Sequence, residues 1–144
     1  MKLKFVLCVL ILIFGISSAC ANVQTFDHFS VDVPVGWDAD LQDSTLIIKS
    51  RSTDASITVA FNQMDNEDFT DIVERLYLQM DGTDLEQDED GDYSFNFRNL
   101  AGVDSVALIT GAEEYYLVLS ITGFDDESVQ KDLEQILDTI DWNE

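Results

Sequence analysis

Apolar and polar residues alternate from Phe29 to Val33, with Phe29, Val31 and Val33 set against Ser30 and Asp32. That period of two predicts a strand with one buried face. Pro34 ends it, and Val35-Gly36-Trp37 turns the chain with a large aromatic at the exit. Thr45 to Lys49 reads as a second strand, and Ile57, Val59 and Phe61 alternate with Ser56, Thr58 and Ala60 to make a third. Ser50 to Asp54 is a polar connector of hairpin length between them. The period then changes. Phe69, Ile72, Val73, Leu76 and Met80 fall on one face of a helix, with Asp65 or Asn66 to cap its start and Gly82 to stop it. Beyond an acidic segment, Asp84 to Asp92, three more β-like runs follow: Tyr93 to Arg98, Ser105 to Thr110 and Tyr115 to Thr122. The last is apolar on both faces, which predicts a central strand covered on both sides. Asp125 or Asp126 opens a second helix with a stripe of Val129, Leu133, Ile136, Leu137 and Ile140, and Trp142 folds back towards the sheet.

Three strands, a helix, three strands and a helix predict an α+β fold rather than alternating βαβ units. Two amphipathic helices and a strand apolar on both sides predict a three-layer α-β-α sandwich. Its central, mainly antiparallel sheet has about six strands.

The first 21 residues have a different pattern. Lys2 and Lys4 precede an unbroken apolar run from Phe5 to Phe14, Gly15 breaks it, and Ala19-Cys20-Ala21 closes the segment. A positive start, an apolar middle and small residues at a cleavage zone are the layout of a secretory signal peptide. The run is about half the ~20 residues of a spanning helix. The expected organisation is a signal peptide over 1–21 and one exported domain over 22–144, in the periplasm or cell envelope. Cleavage after Ala21 leaves a soluble chain; cleavage after Ala19 exposes Cys20 for lipidation, the one route to a membrane that the sequence offers. Cys8 and Cys20 are the only cysteines, so no disulfide staples the domain and packing alone must hold it.

Removing the leader takes two of seven basic residues and none of the 29 acids, moving the formal charge from −22 to −24. A surface this negative repels phosphate backbones, which argues against nucleic acid and anionic lipid as partners.

Catalytic chemistry has little to stand on. His28 is the single histidine, and no G-x-S-x-G, H-E-x-x-H, phosphate loop or Cys-x-x-Cys is present. Asp38 with Asp40, and Glu113 with Glu114, are paired carboxylates in predicted turns, the raw material of glycoside hydrolysis and also what 29 acids produce by chance. The acidic segment is the sharper candidate. Glu86, Asp88 and Asp90 alternate ahead of Gly91, like the first half of a calcium loop, with Ser94 next in reach. A calcium loop would have Asp first and a bidentate Glu twelfth, where this chain has Glu86 and Phe97. The competing reading is a hairpin in which Asp90-Gly91 makes the turn and the acids keep it solvated. Trp37, Tyr93, Phe95, Phe97 and Tyr115 lie at core spacing; Tyr116 and Trp142 are the aromatics to inspect for exposure.

Phe29 to Trp37, a strand followed by Pro-x-Gly-Trp, resembles the opening of the PsbP-like superfamily (PsbP, Mog and the DcrB-type lipoproteins). The Tyr115 to Ile121 strand and the closing helix are similar to that family's last elements. The resemblance implies the same sandwich, used as a non-catalytic binding or assembly module with a protein partner and no obligatory cofactor. It supplies no catalytic motif and no residue-level metal site. The expected function is therefore a non-enzymatic exported envelope protein, the alternative being a calcium-responsive module using residues 86–92.

Overall fold

The computed structural model describes residues 22–26 and 29–142. The signal segment, Cys20 and His28 lie outside the described residues. In chain order the elements are β1 Val23–Thr25, β2 Phe29–Asp32, β3 Trp37–Gln42, β4 Thr45–Ser50, β5 Ser56–Gln63, α1 Phe69–Gln79, β6 Thr83–Gln87, β7 Tyr93–Arg98, β8 Asp104–Gly111, β9 Tyr115–Thr122, α2 Glu127–Thr139 and β10 Asp141–Trp142. Seven strands form one antiparallel sheet in the order β3-β4-β5-β9-β8-β7-β6. A second, three-stranded sheet, β1-β2-β10, joins the two ends of the described chain through β2.

β9 sits in the middle of the large sheet, as its two apolar faces require. Leu117, Leu119 and Ile121 belong to a core with Ile48, Ile57, Val59 and the Val129, Leu133 and Ile136 stripe of α2. Tyr116 and Val118 turn the other way, into a core with Phe95, Ile109 and the Ile72 and Val73 pair of α1. β8 divides identically, Leu108 to the first core and Ala107 and Ile109 to the second. β2 adds Phe29, Val31 and Val33 to the α2 side. Each such aliphatic side chain, removed from water, contributes about 1.5–3 kcal/mol.

The sheet has more strands than the hydrophobic pattern predicts. Trp37 begins strand β3 rather than closing a turn, and Asp38 and Asp40 lie on that strand rather than in a turn. Thr83–Gln87, read as part of an acidic loop, is edge strand β6 with all five residues exposed. β1 and β10 are too short to carry a period.

Helix ends differ in detail. Asp126 caps α2, its side chain accepting from the Ser128 N–H at 2.9 Å, one of the two residues expected there. α1 is capped by Asp68 without a side-chain hydrogen bond, while Asp65 and Asn66 take left-handed conformations ahead of it. At its other end the left-handed residue is Asp81, not Gly82. Gly82 is needed for space: a Cβ there would sit 2.5 Å from the Tyr77 ring and 2.8 Å from that of Phe95.

Candidate functional site

Because neighbouring strands of the large sheet are antiparallel, its connections fall at two opposite ends. The cross-strand row Ser105, Thr122, Ser56, Lys49 and Asp38 marks one end. The connectors there are 33–36, 51–55, 80–82, 99–103 and 123–126. The row Gln87, Tyr93 and Ile109, with Gln63 opposite Tyr115, marks the other. Its connectors are 43–44, 64–68, 88–92 and 112–114. These last four hold ten acidic residues and no basic one. Arg75 of α1 reaches back to this end and pairs with Glu67 at 2.7 Å. The connectors of the first end hold four acids and Arg51, with Lys49 and Arg98 on the adjoining strands.

The sequence-predicted metal residues lie at the acidic end, on the β6–β7 hairpin. Glu86 is in β6, opposite Ser94 of β7. Asp88 organises the turn: its Oδ1 accepts the N–H of Asp90 at 3.0 Å and of Asp92 at 2.8 Å. Its own N–H donates to the Asp92 carbonyl at 2.9 Å, and Gly91, left-handed at φ +88°, donates to the Asp88 carbonyl. This is an Asx-type turn, in which a short carboxylate bonds the backbone just ahead of it. Among the described residues no group of three or more His, Cys, Asp or Glu side chains is placed to hold a metal ion. Asp92 is the electrostatically stressed member. Partial burial pushes its carboxyl above the ordinary aspartate range, a hydrogen bond from Thr110 opposes this, and the charges of Asp88 and Asp90 add to the rise.

The paired carboxylates have separate employment. Asp38 accepts Arg51 with both oxygens, at 2.6 and 2.9 Å, and this hydrogen-bonded guanidinium holds its carboxyl below the ordinary range. Asp40 accepts from Gln42. Glu113 and Glu114 are exposed in the β8–β9 turn. Tyr116 is buried and belongs to the core, so it offers no contact surface. A shallow groove of about 690 Å³ opens between Met80 and Asp81 beyond α1, Thr83 of β6, Asn96 to Arg98 of β7, and Phe124. Its charged wall is the exposed Arg98–Asp104 pair at 2.9 Å.

No protein-family model matches the chain, and no curated protein does. Solved structures do. The solution structure of cyanobacterial PsbP (CyanoP) from Synechocystis sp. PCC 6803 matches with a TM-score of 0.62 at 15% identity, over 93% of this chain and 99% of that one. The chain has a PsbP-like fold. A crystal structure from Bacteroides thetaiotaomicron VPI-5482 matches at 16% identity and a TM-score of 0.48, over 81% of this chain and only 45% of that one.

In this PsbP-like fold the Phe29–Trp37 opening has a mechanical role. Phe29, Val31 and Val33 enter the α2 core, Pro34 accepts the Trp37 N–H at 3.2 Å, and Gly36 takes φ +90° to close the turn. Trp37 is then buried, with its indole Nε1 donating to Asp132 Oδ2 of α2 at 2.9 Å. Asp32, at the end of β2, ties the same helix from the other side. It accepts Gln135 Nε2 at 3.1 Å, and its N–H donates to Thr139 Oγ1. The periodicity pointed to Trp37 only as an exit aromatic; its partner lies 95 residues away and carries no local signal.

Proposed function

We propose that this protein is an exported, non-catalytic module of the cell envelope that binds or helps assemble a protein partner, built as a helix–sheet–helix sandwich. The two cores on opposite faces of β8 and β9, one with each helix, support the layering. The observation that carries the functional reading is the PsbP-like fold over nearly the whole chain, a fold associated with binding and assembly rather than with catalysis. The acidic end selects among partners: a cluster of ten loop acids favours a cationic protein surface and disfavours nucleic acid. Crosslinking in the native envelope followed by pull-down is the test. A defined partner whose capture weakens with salt supports the reading; recovery of the protein alone across conditions overturns it.

The second reading is a calcium response at Glu86, Asp88 and Asp90. It is favoured by the crowding of Asp88 and Asp90 against Asp92, which a bound cation would relieve. A single ion at a hundred times its dissociation constant stabilises a fold by ~2.7 kcal/mol, a readily measured melting shift. An unchanged melt with calcium, or a shift that survives Asp88→Asn with Asp90→Asn, removes this reading.

A further inference from the structure

We propose that the outer edge of β3 receives an extended segment of a protein partner, a strand whose apolar residues alternate with lysine or arginine. This rests on the partner-binding role proposed above and adds where and how the partner joins. β3 ends the large sheet, and among the described residues no strand pairs with its far side. Its six residues pair with β4 in unbroken register, from Trp37 with Ser50 to Gln42 with Thr45. An antiparallel strand gives its N–H and C=O groups to one neighbour at every second residue. Here the Arg51 N–H donates to the Gly36 carbonyl at 2.9 Å, one step beyond that register. The bonds to β4 therefore fall at Asp38, Asp40 and Gln42, and the N–H and C=O groups of Ala39 and Leu41 point outward. Trp37 shares their parity, and its N–H is taken by the Pro34 carbonyl at 3.2 Å.

The opposite edge of the sheet is guarded against such pairing. β6 is broken by a register shift between Thr83 and Glu86, and Asp84 within it is left-handed at φ +55°. A bulge of this kind twists an edge away from an incoming strand. β3 contains no proline, no register shift and no left-handed residue. One edge is disrupted and the other is regular.

Side chains select the occupant. Ala39 and Leu41 are half-buried against the α2 core, so apolar residues set beside them extend that core by one strand. Asp38, Asp40 and Gln42 are exposed on the other face. Asp38 is already bound by Arg51 and lies opposite Lys49. Asp40 lies opposite Ile47 and accepts from the neutral Gln42 amide at 3.0 Å, so no cation answers its charge on the β4 side. Because Asp40 bonds to β4, it meets an incoming strand in a non-hydrogen-bonded pair, where side chains are closest. A lysine or arginine at that position makes an attractive cross-strand pair. A second copy of this chain does not. The two-fold pairing that uses all of Asp38 to Gln42 sets Asp40 against its own equivalent, like charges in the close pair. Past Gln42 the added strand leaves the sheet at the end with the ten loop acids, the surface that favours a cationic partner.

The test follows amide hydrogen exchange by NMR on the full chain. The probe is a hexapeptide alternating valine with lysine, and its control alternates valine with glutamate. At about ten times its dissociation constant the lysine peptide should slow exchange of the Ala39 and Leu41 N–H groups roughly tenfold, since they exchange only from the free form. The β6 amides should be unaffected. Ala39→Pro removes one outward donor and no bond to β4, so it should keep the circular dichroism melt and lose the protection at Leu41. Asp40→Lys leaves the backbone as it is and should reverse the preference to the glutamate peptide, which decides the matter if the proline variant does not fold. No protection at Ala39 and Leu41, equal protection by both peptides, protection that survives Ala39→Pro, or a dimer that Ala39→Pro dissociates overturns the inference. Crosslinking in the envelope keeps the two readings apart. A partner whose capture Ala39→Pro abolishes supports docking at β3. A partner captured equally by Ala39→Pro overturns docking at β3 and leaves the assembly role standing, whereas recovery of the protein alone overturns the assembly role whatever the peptides do.

Discussion

Replacing Asp88 separates the two roles offered for the acidic hairpin. In Asp88→Ala the N–H groups of Asp90 and Asp92 lose an acceptor that now holds them at 3.0 and 2.8 Å. A short carboxylate capping free backbone donors is worth about 0.5–2 kcal/mol in the equivalent helix-cap setting. The hairpin tip is exposed, so the freed donors find water and the penalty of a buried orphan does not apply. Removing one charge from a cluster that includes Glu89, Asp90 and Asp92 offsets part of the loss. The net cost is ~1 kcal/mol, roughly 3–5 °C in the midpoint for a domain of this size. Asp88→Asn keeps an oxygen in place and also removes the charge, so it should melt at or slightly above the wild type.

Thermal melts in chelator, at low salt and again with salt added to screen the charge term, give the ranking. Asn at or above wild type, with Ala below both, confirms a turn organised by one oxygen atom. An alanine variant as stable as the wild type refutes it. If the asparagine variant matches wild type in chelator but loses a calcium-induced shift, the carboxylate charge acts on a metal as well as on the turn.

Three further predictions follow from single contacts. Trp37→Phe removes the indole bond to Asp132 and should cost about 1 kcal/mol in urea unfolding. Combined with Asp132→Ala it should cost less than the sum of the two changes, and strict additivity would show that the bond carries nothing. Gly123→Ala combines φ +76° with a Cβ 2.8 Å from the Ala55 Cα, whereas Gly36→Ala has φ +90° and open space around it. Gly123→Ala should therefore cost more, on the order of 2–3 kcal/mol against ~1, and equal melting losses would dismiss the contact. Asp92→Asn tests the hairpin electrostatics through pH. The carboxyl of Asp92 titrates higher in the folded chain than in the unfolded one, so its contribution is best when protonated and is lost as pH rises through the raised folded value. The asparagine variant should be more stable than wild type at neutral pH and converge with it in acid; a gap that is constant with pH would refute the assignment.

Most of the core was legible because it obeys a period. β5, β7 and β9 alternate, α1 and α2 carry stripes, and the buried residues of those elements are the ones the spacing selects. What escaped has no period to read. β6 is exposed at all five positions and is a strand only because Tyr93, Ser94 and Asn96 of β7 pair with it, through a bulge between Thr83 and Glu86. Acids and a bulge on an open edge are how sheets discourage pairing with another chain, and they also remove the hydrophobic signal. β3 is the other edge, and its buried side beyond Trp37 is supplied only by half-buried Ala39 and Leu41, alternating with exposed Asp38, Asp40 and Gln42. The role of Gly82 was misread for a related reason: a glycine demanded by the Tyr77 and Phe95 rings looks, in sequence, like one demanded by a helix stop.

Those two missed edge strands are why the charge polarity of the molecule could not be read beforehand. In an antiparallel sheet each strand carries the chain to the opposite end, so the end on which a connector falls depends on how many strands precede it. Without β6, residues 84–92 become one long connector that starts where α1 finishes, at the end with Leu100. With β6 in place, Asp88 to Asp92 are carried across the sheet to join 43–44, 64–68 and 112–114. The same count governs β3, which moves Asp43 from the Val35 end to the acidic end. The acids of these four loops are far apart in sequence and share no motif; strand parity alone gathers them. A short, exposed, bulged strand that buries nothing therefore sets which end of the protein is the more acidic.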